Sequence, residues 1–300
     1  MLMTKNVTMK NIAKELDVST VTISKALSGK EGVSDELRKL IKCKADEMGY
    51  RYNALGKSMR DGKNYNIGIL IPEQFMHESA FYSKMYQSLI KEMMPYNYFG
   101  ILEIVSCQEE KESIMPRILK NNKVDGIILL GQMQKDYIWM IDKTKVPYIF
   151  LDFVDDTFDV DTIISDNVYG SYEITNYLIS EGHGEIGFIG NQFATTSITD
   201  RYLGYYKALL EHRLRIHEEW IIKDRNEQGE FIELLLPKEL PTAFVCNCDK
   251  IAYELIKLLK KKGIRVPEDV SVVGYDNYIY ATLSDPQITT VEVNVDAMSE

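Results

Sequence analysis

With 300 residues, 45% of them hydrophobic and 27% charged, the chain has the composition of a globular protein with two or three domains rather than one small core. The N-terminus MLMTKNVTMKNIAKEL has no apolar run of signal-peptide length, and no stretch approaches the roughly eighteen apolar residues of a membrane span, so a cytoplasmic chain is expected. The net charge of −10 would exclude a nucleic-acid partner only if it were evenly spread; residues 1–60 carry 12 cations against 7 anions, +5, and the remainder carries −15.

The basic end reads as three short helices. Thr8 can cap a helix over 9–16 that gathers Ile12, Ala13 and Leu16 on one face. Asp17-Val18-Ser19 forms a tight turn, and Ser19 can cap a second helix over 20–27 with Ile23, Ala26 and Leu27 inward. Ser34 can cap a third over 35–48, with Gly49 as its natural stop. Two helices joined by a short turn and backed by a third describe a helix-turn-helix, whose second helix enters the DNA major groove. Thr20, Val21, Thr22, Ser24 and Lys25 are not needed for the core and can face out. Threonine and valine methyls suit a thymine methyl, and a lysine suits guanine acceptors or a phosphate. A small packing module with no DNA partner has the same helical pattern.

The segment RYNALGKSMRDGK, residues 51–63, is cation-rich and weakly helical. Beyond it, short apolar runs alternate with amphipathic stretches. Strands are expected at 67–71, 100–105, 125–130, 148–151, 163–165, 185–189, 243–246 and 271–273, with helices such as 81–94, 169–181, 202–210 and 251–262 between them. Continuous apolar strands alternating with helices imply parallel sheets covered on both faces, and so many strands suit two lobes. Ligands of such folds sit at the strand C-terminal ends, here a cleft between lobes.

Gly182-His183-Gly184-Glu185-Ile186-Gly187 matches a dinucleotide fingerprint literally, but it follows a helix and leads into a strand, the reverse of the required order. The four histidines show no metalloprotease spacing, and neither a nucleophile elbow nor a phosphate loop is present, so an enzyme is not expected, nor a cofactor or metal. Four scattered cysteines, two of them spaced Cys246-x-Cys248, fit a reducing compartment without a disulfide framework. Polar residues follow several strands: Asp152 after YIFL, Asp166-Asn167 after IIS, Asn247 after FVC and Asp276 after VVGY, with Arg201 opening a helix. Carboxylates and a guanidinium converging on a cleft suit a polyhydroxylated ligand, since each bonds two adjacent hydroxyls in a planar fork. Helix caps and surface ion pairs use the same residues.

The first sixty residues resemble the DNA-binding headpiece of the lac-repressor (LacI/GalR) family through Ile12-Ala13, Val18-Ser19, Thr22-Ile23-Ser24-Lys25, Val33-Ser34, Arg38, Gly49-Tyr50 and Asn53-Ala54-Leu55. The resemblance extends through VDGIILLG, VPYIFLD, ISEGHGEIGFIGN, DRYLGYYKAL and VSVVGYDN to a core similar to periplasmic sugar-binding proteins. It implies an all-α helix-turn-helix headpiece over 1–50, a hinge helix over 51–63 and an α/β two-lobed periplasmic-binding-protein-like core of parallel sheets over 64–300. Lobe 1 is expected at about 64–162 and 292–300, lobe 2 at about 163–291. It further implies a homodimeric repressor of carbohydrate-utilisation genes on a near-palindromic operator, controlled by a small-molecule effector, a sugar. Thr8, Ser19, Thr22 and Asn53 match phosphate-contacting positions, and Thr20, Val21 and Lys25 base-reading ones. Ala54 and Lys57 fall in the hinge, where Met59 takes the place of a leucine wedge that kinks DNA. Asp152, Arg201 and Asp276 match sugar-holding positions, and Trp220 an aromatic or apolar one at the cleft.

Several positions depart from the family pattern. Lys25 stands where arginine is usual, and lacks its bidentate fork. Gly56 replaces alanine and Tyr52 replaces proline, both weakening a hinge helix. Cys248 stands at a small polar cleft position, and Pro72-Glu73 follow the first strand in place of small polar residues. The family pattern continues past TTVEV with another helix and strand, so the chain looks truncated. A nucleoside or other non-sugar ligand, a protein partner as the main input, and a stand-alone sugar-binding protein are the alternative functions.

Overall fold

The computed structural model describes residues 7–50, 61–76, 80–226 and 229–300, in two compact units, Met1–Lys63 and Asn64–Glu300. The expected hinge contacts Asn53, Ala54, Lys57 and Met59 lie outside the described residues.

In the smaller unit, α1 (Met9–Glu15), α2 (Thr20–Leu27) and α3 (Asp35–Glu47) close around Ile12, Ala13, Ile23, Ala26, Ile41 and Ala45. Each helix begins where a hydroxyl side chain stops the preceding backbone. The Ser19 hydroxyl accepts from the Thr22 amide at 3.0 Å, and the Ser34 hydroxyl from the Leu37 amide at 3.3 Å. At Thr8 the bond runs the other way, with the Asn11 side chain accepting from the Thr8 amide at 2.9 Å. Gly49, at φ +69°, takes the left-handed turn that ends α3. Arg38 on α3 donates to the carbonyls of Lys25, Ala26 and Lys30 at 3.3, 3.1 and 2.8 Å, so one guanidinium adds to the backbone bonds that the Gly29 and Lys30 amides make at the end of α2.

The larger unit contains two five-stranded sheets in which every pairing is parallel. The first joins β1 (Asn66–Pro72), β2 (Phe99–Val105), β3 (Gly126–Leu130), β4 (Tyr148–Leu151) and β5 (Thr162–Ile163) in the order β2-β1-β3-β4-β5. The second joins β6 (Ile186–Ile189), β7 (Ile221–Ile222), β8 (Ala243–Cys246), β9 (Ser271–Asp276) and β10 (Thr289–Glu292) in the order β10-β9-β8-β6-β7. Read from β7, the second sheet repeats the order of the first, so each lobe reverses direction beside its first strand. That reversal opens a crevice at the strand C-terminal ends.

Helices cover both faces of each sheet, which explains why β3, β6 and β8 are buried almost end to end. The helix over Ala80–Met93 packs on one face of the first sheet and Lys135–Asp142 on the other. In the second lobe, Asp249–Lys261 covers one face, and Asn167–Ser180 and Thr196–Glu211 the other. The last helix, Val295–Ser299, leaves the second sheet and buries Val295 and Met298 among Ile69, Phe81 and Met85 of the first lobe. Ser88 donates to Asp296 at 2.7 Å along that contact.

Candidate functional site

On the small unit, α2 turns Ile23 and Ala26 into the core and leaves Thr20, Val21 and Lys25 exposed. Val21 is 63% exposed, a large apolar side chain on an otherwise polar face, which packing does not explain. Ser19 and Thr22 hold one another at 2.9 Å at the start of the helix, and Ser24 is half-buried beneath them. Thr8 lies exposed at the start of α1, its hydroxyl donating to Asn11 at 2.6 Å. This is the face a recognition helix offers to a major groove.

In the large unit, the strand ends of both lobes converge on one cavity of about 100 Å³. Gln74 and Phe75 reach it after β1 and Asp152 after β4; Arg225 follows β7, Cys248 follows β8, and Asp276 ends β9. The lobes meet beside it, where the Thr196 amide donates to Gln132 at 2.8 Å and the Lys84 ammonium lies 5.8 Å from the Tyr278 ring centre.

Arg201 is the centre of the cleft. Its Nε donates to Asn167 at 2.8 Å and its Nη1 to the Asn247 carbonyl, while Nη1 lies 3.4 Å from Asp276 Oδ1. Its plane lies over the Tyr275 ring at 3.8 Å. Both carboxylates beside it sit on left-handed backbone, Asp152 at φ +67° and Asp276 at φ +108°. Strain of that kind collects at ligand sites. Asp152 accepts from the Tyr82 hydroxyl at 2.7 Å. Burial raises the Asp152 carboxyl above the usual range, against the pull of Tyr82 and Arg201. Asp276 is pushed up to about 7, first by burial, then by Asp249 and Asp152, with Arg201 opposing. Burial also lifts Asp249 to about 6, although Thr290 and the Tyr278 amide donate to it at 2.6 and 2.9 Å. The Cys248 thiol is held at about 12 by burial and Asp276, which leaves it protonated at neutral pH.

A second guanidinium enters from the β7 end. Arg225 Nε and Nη2 both donate to Asp224, at 3.0 and 2.8 Å, and Asp224 is wholly buried. Asp224 also accepts from the Asn191 amide and from Asn247 Nδ2, both at 2.8 Å. Asn247 therefore ties the two arginines together.

The structure brings Asp152 and Asp276, at the ends of β4 and β9, together with Arg201 of the helix Thr196–Glu211. Trp220 is not among them. It precedes β7, at the end of the strand away from the cleft, where it is 5% exposed, stacks on His217 at 4.0 Å and donates to the Glu239 carbonyl at 3.0 Å. The aromatic rings lining the cavity are instead Phe75, Phe81, Tyr82, Phe231, Tyr278 and Tyr280. Glu73 also faces away, accepting from the Cys107 amide at 2.8 Å. Arg225 escaped notice because β7, Ile221–Ile222, is two residues long and too short to show a strand period. The glycine fingerprint falls between the helix Asn167–Ser180 and β6, with Gly182 at φ +98° in the helix stop. Among the described residues, no His, Cys, Asp and Glu group is arranged to hold a metal, and no helix is long and apolar enough to cross a membrane.

A helix-turn-helix followed by a two-lobed domain with a polar cleft defines a DNA-binding regulator of the ligand-responsive kind. The family model for bacterial regulatory proteins of the lacI family matches residues 8–53, and that for periplasmic binding protein-like domains matches 175–300. The HTH-type transcriptional repressor PurR of Pasteurella multocida (strain Pm70) is 29% identical over 290 residues, covering 95% of this chain and 86% of that protein. PurR of Vibrio cholerae (strain M66-2) is 28% identical over 290 residues, covering 95% and 85%. The lac repressor dimer bound to operator and the anti-inducer ONPF superposes with a TM-score of 0.77 at 19% identity, over 98% of this chain and 90% of that one. A complex of the transcriptional regulator CelR with cellobiose gives 0.67 at 22% identity, over 98% and 90%. Residues 8–53 carry the DNA-binding domain of the lacI family, and the chain is similar over 95% of its length to DNA-binding transcriptional repressors.

Proposed function

We propose that this repressor is controlled by a small effector bearing adjacent hydroxyls, a sugar or a sugar-like molecule, and that it governs carbohydrate-utilisation genes in the cytoplasm as a homodimer on a near-palindromic operator. The observation that carries the effector is the convergence of Asp152, Arg201 and Asp276 on one buried cleft. Two carboxylates accept from vicinal hydroxyls, the guanidinium donates to their oxygens, and a ring such as Tyr82 or Phe231 packs on the apolar face of the ligand. The ligand class rests on this cleft; the curated relatives are PurR repressors, whereas one structural neighbour is a complex with cellobiose.

On DNA, Thr20, Val21 and Lys25 read base edges, Ser24 lies alongside them, and Thr8, Ser19, Thr22 and Asn53 position the headpiece on phosphates. Ala54 and Lys57 accompany Met59, which wedges a central base step. Two-fold protein symmetry calls for a two-fold operator. Effector and operator binding are linked reciprocally, typically by about 1–3 kcal/mol.

A thermal-shift screen of the full chain against neutral sugars, sugar acids, sugar phosphates, nucleobases and nucleosides tests the effector. Stabilisation by a hydroxylated ligand that is lost in Asp152→Asn supports the proposal; stabilisation by a nucleobase alone overturns it. Equal affinity for the promoter of its own gene and for scrambled DNA across a salt series would overturn the specific operator.

A further inference from the structure

We propose that the cleft is a proton-operated latch: with its carboxyls protonated the two lobes hold together, and ionisation of Asp249 and Asp276 on the second lobe, opposite Asp152 on the first, drives them apart. The latch lies in the proposed effector site but needs no effector to work, so it goes beyond that reading.

Asp152 follows β4 of the first lobe, while Arg201, Asp249 and Asp276 belong to the second, and all four line one cavity. One guanidinium serves the three carboxyls: Arg201 lies 3.4 Å from Asp276 and acts through space on Asp152 and Asp249. The other charged groups around them leave that balance alone. Arg225 is matched by Asp224 at 3.0 and 2.8 Å, and the Lys250 ammonium lies 3.9 Å from the Phe231 ring centre. From the first lobe, Tyr82 donates to Asp152 and the Lys84 ammonium lies 5.8 Å from the Tyr278 ring centre. Glu292 pairs with Asp276 in register on β10 but is exposed to solvent. Burial raises Cys248 and Tyr275, so both keep their protons at neutral pH. His183, His212 and His217 contact Thr242, Asn176 and Glu219, away from the cavity lining.

In a cavity of about 100 Å³, three carboxylates beside one guanidinium cannot all stay charged. Burial, with Asp249 and Asp152 adding to it, pushes Asp276 up to about 7, and burial lifts Asp249 to about 6. Below those values both hold protons while the lobes are together. Arg201 is then the charge that the second lobe turns toward Asp152, and it attracts across the cleft. Once both acids ionise, two carboxylates outweigh one guanidinium and the sign toward Asp152 reverses. Opening the cleft admits water, which relieves the burial that raises all three carboxyls. The open form therefore binds fewer protons, and it gains about tenfold over the closed form per pH unit for each proton released.

A fluorescence energy-transfer pair across the mouth of the cleft tests this on the full chain without added ligand. Gln108→Cys, after β2 of the first lobe, and Phe193→Cys, after β6 of the second, carry the dyes at exposed positions. The exposed native thiols are removed by Cys43→Ser and Cys107→Ser, and labelled chain is mixed into excess unlabelled chain so that transfer stays within one copy. Between pH 5.5 and pH 8 transfer should fall, with the open-to-closed ratio rising by about tenfold or more. Asp249→Asn/Asp276→Asn cannot ionise and should keep high transfer up to pH 8. Asp276→Asn alone, which keeps the shape, should reduce the fall, and so should Asp152→Asn, which takes the repelled charge off the first lobe. Constant transfer across the pH range in the labelled parent overturns the latch, as does a fall of equal size in Asp276→Asn or in Asp152→Asn. Neither result bears on ligand-induced stabilisation of the same chain, so failure of the latch and failure of the effector site are told apart.

Discussion

Asp276 makes the stability of the large unit depend on pH in an unusual direction. Its carboxyl rises from the ordinary 3.8 to about 7 because burial and the neighbouring carboxylates outweigh Arg201. Its side chain is 17% exposed, so solvent screening does little to relieve that penalty. A raised acid binds its proton more tightly in the folded than in the unfolded chain. The resulting stability is complete below the unfolded value near 4 and is lost as pH rises through the folded value near 7. Between pH 5 and pH 8 the loss should be about 3 kcal/mol, with about 1 kcal/mol more from Asp249, which titrates near 6. Asp276→Asn keeps the shape and removes the charge. The variant should match the wild type near pH 5, exceed it by about 2–3 kcal/mol at pH 8, and retain only the shares of the slope that Asp249 and Asp152 carry. Both tryptophans, Trp139 and Trp220, lie in this unit, so fluorescence-detected urea unfolding of the full chain from pH 5 to 8 reports it selectively. Identical pH slopes in wild type and variant, or a wild type that gains on the variant as pH rises, would refute the reasoning.

Arg38→Ala removes the guanidinium that ties α3 to three carbonyls at and after the end of α2 and should destabilise the headpiece by about 2 kcal/mol, seen as a lower melting point for the small unit and weaker operator binding. Val21→Ala should weaken specific operator binding by about 1 kcal/mol with no change in salt slope. Lys25→Ala should weaken specific operator binding and leave the salt slope unchanged, as for a base-reading residue; a slope lowered by about one phosphate would place it on the backbone instead. Gly204→Ala places a methyl against the Val168 carbonyl where the helices Asn167–Ser180 and Thr196–Glu211 cross. It should destabilise the large unit by about 3 kcal/mol, since backbone cannot yield as a side-chain tip can; a midpoint within error of wild type in the same fluorescence assay would contradict the tight crossing.

The headpiece was legible because its signals are local. A capping serine, helical spacing of Ile23 and Ala26 and a glycine stop act within one helix, and the observed α2 keeps the expected limits. The role of Arg38 was not, because its three carbonyls belong to residues 8–13 positions away and meet it only when α3 folds back. In the core, the longer strands announced themselves as apolar runs buried on both faces. β7 did not, since two residues carry no period, and the strand exists through its pairing with β6.

The same division separates the cleft residues. Asp152 and Asp276 sit where apolar runs stop, and in parallel sheets covered by helices such ends face the crevice, so chain order made them candidates beside Asp166 and Asn247, and the family resemblance singled them out. Aromatic character pointed to Trp220, but whether a ring serves core or cleft depends on which end of its strand it occupies. Trp220 stands before β7 and Arg225 after it, five positions along the chain and on opposite ends of one short strand. Local propensity and hydrophobic pattern, which act over neighbouring residues, determined the two units and their class of fold. The identity of the side chains that share the cavity was decided by strand pairing across the chain, which brings Arg225, Asn247 and Arg201 within one hydrogen-bonded chain.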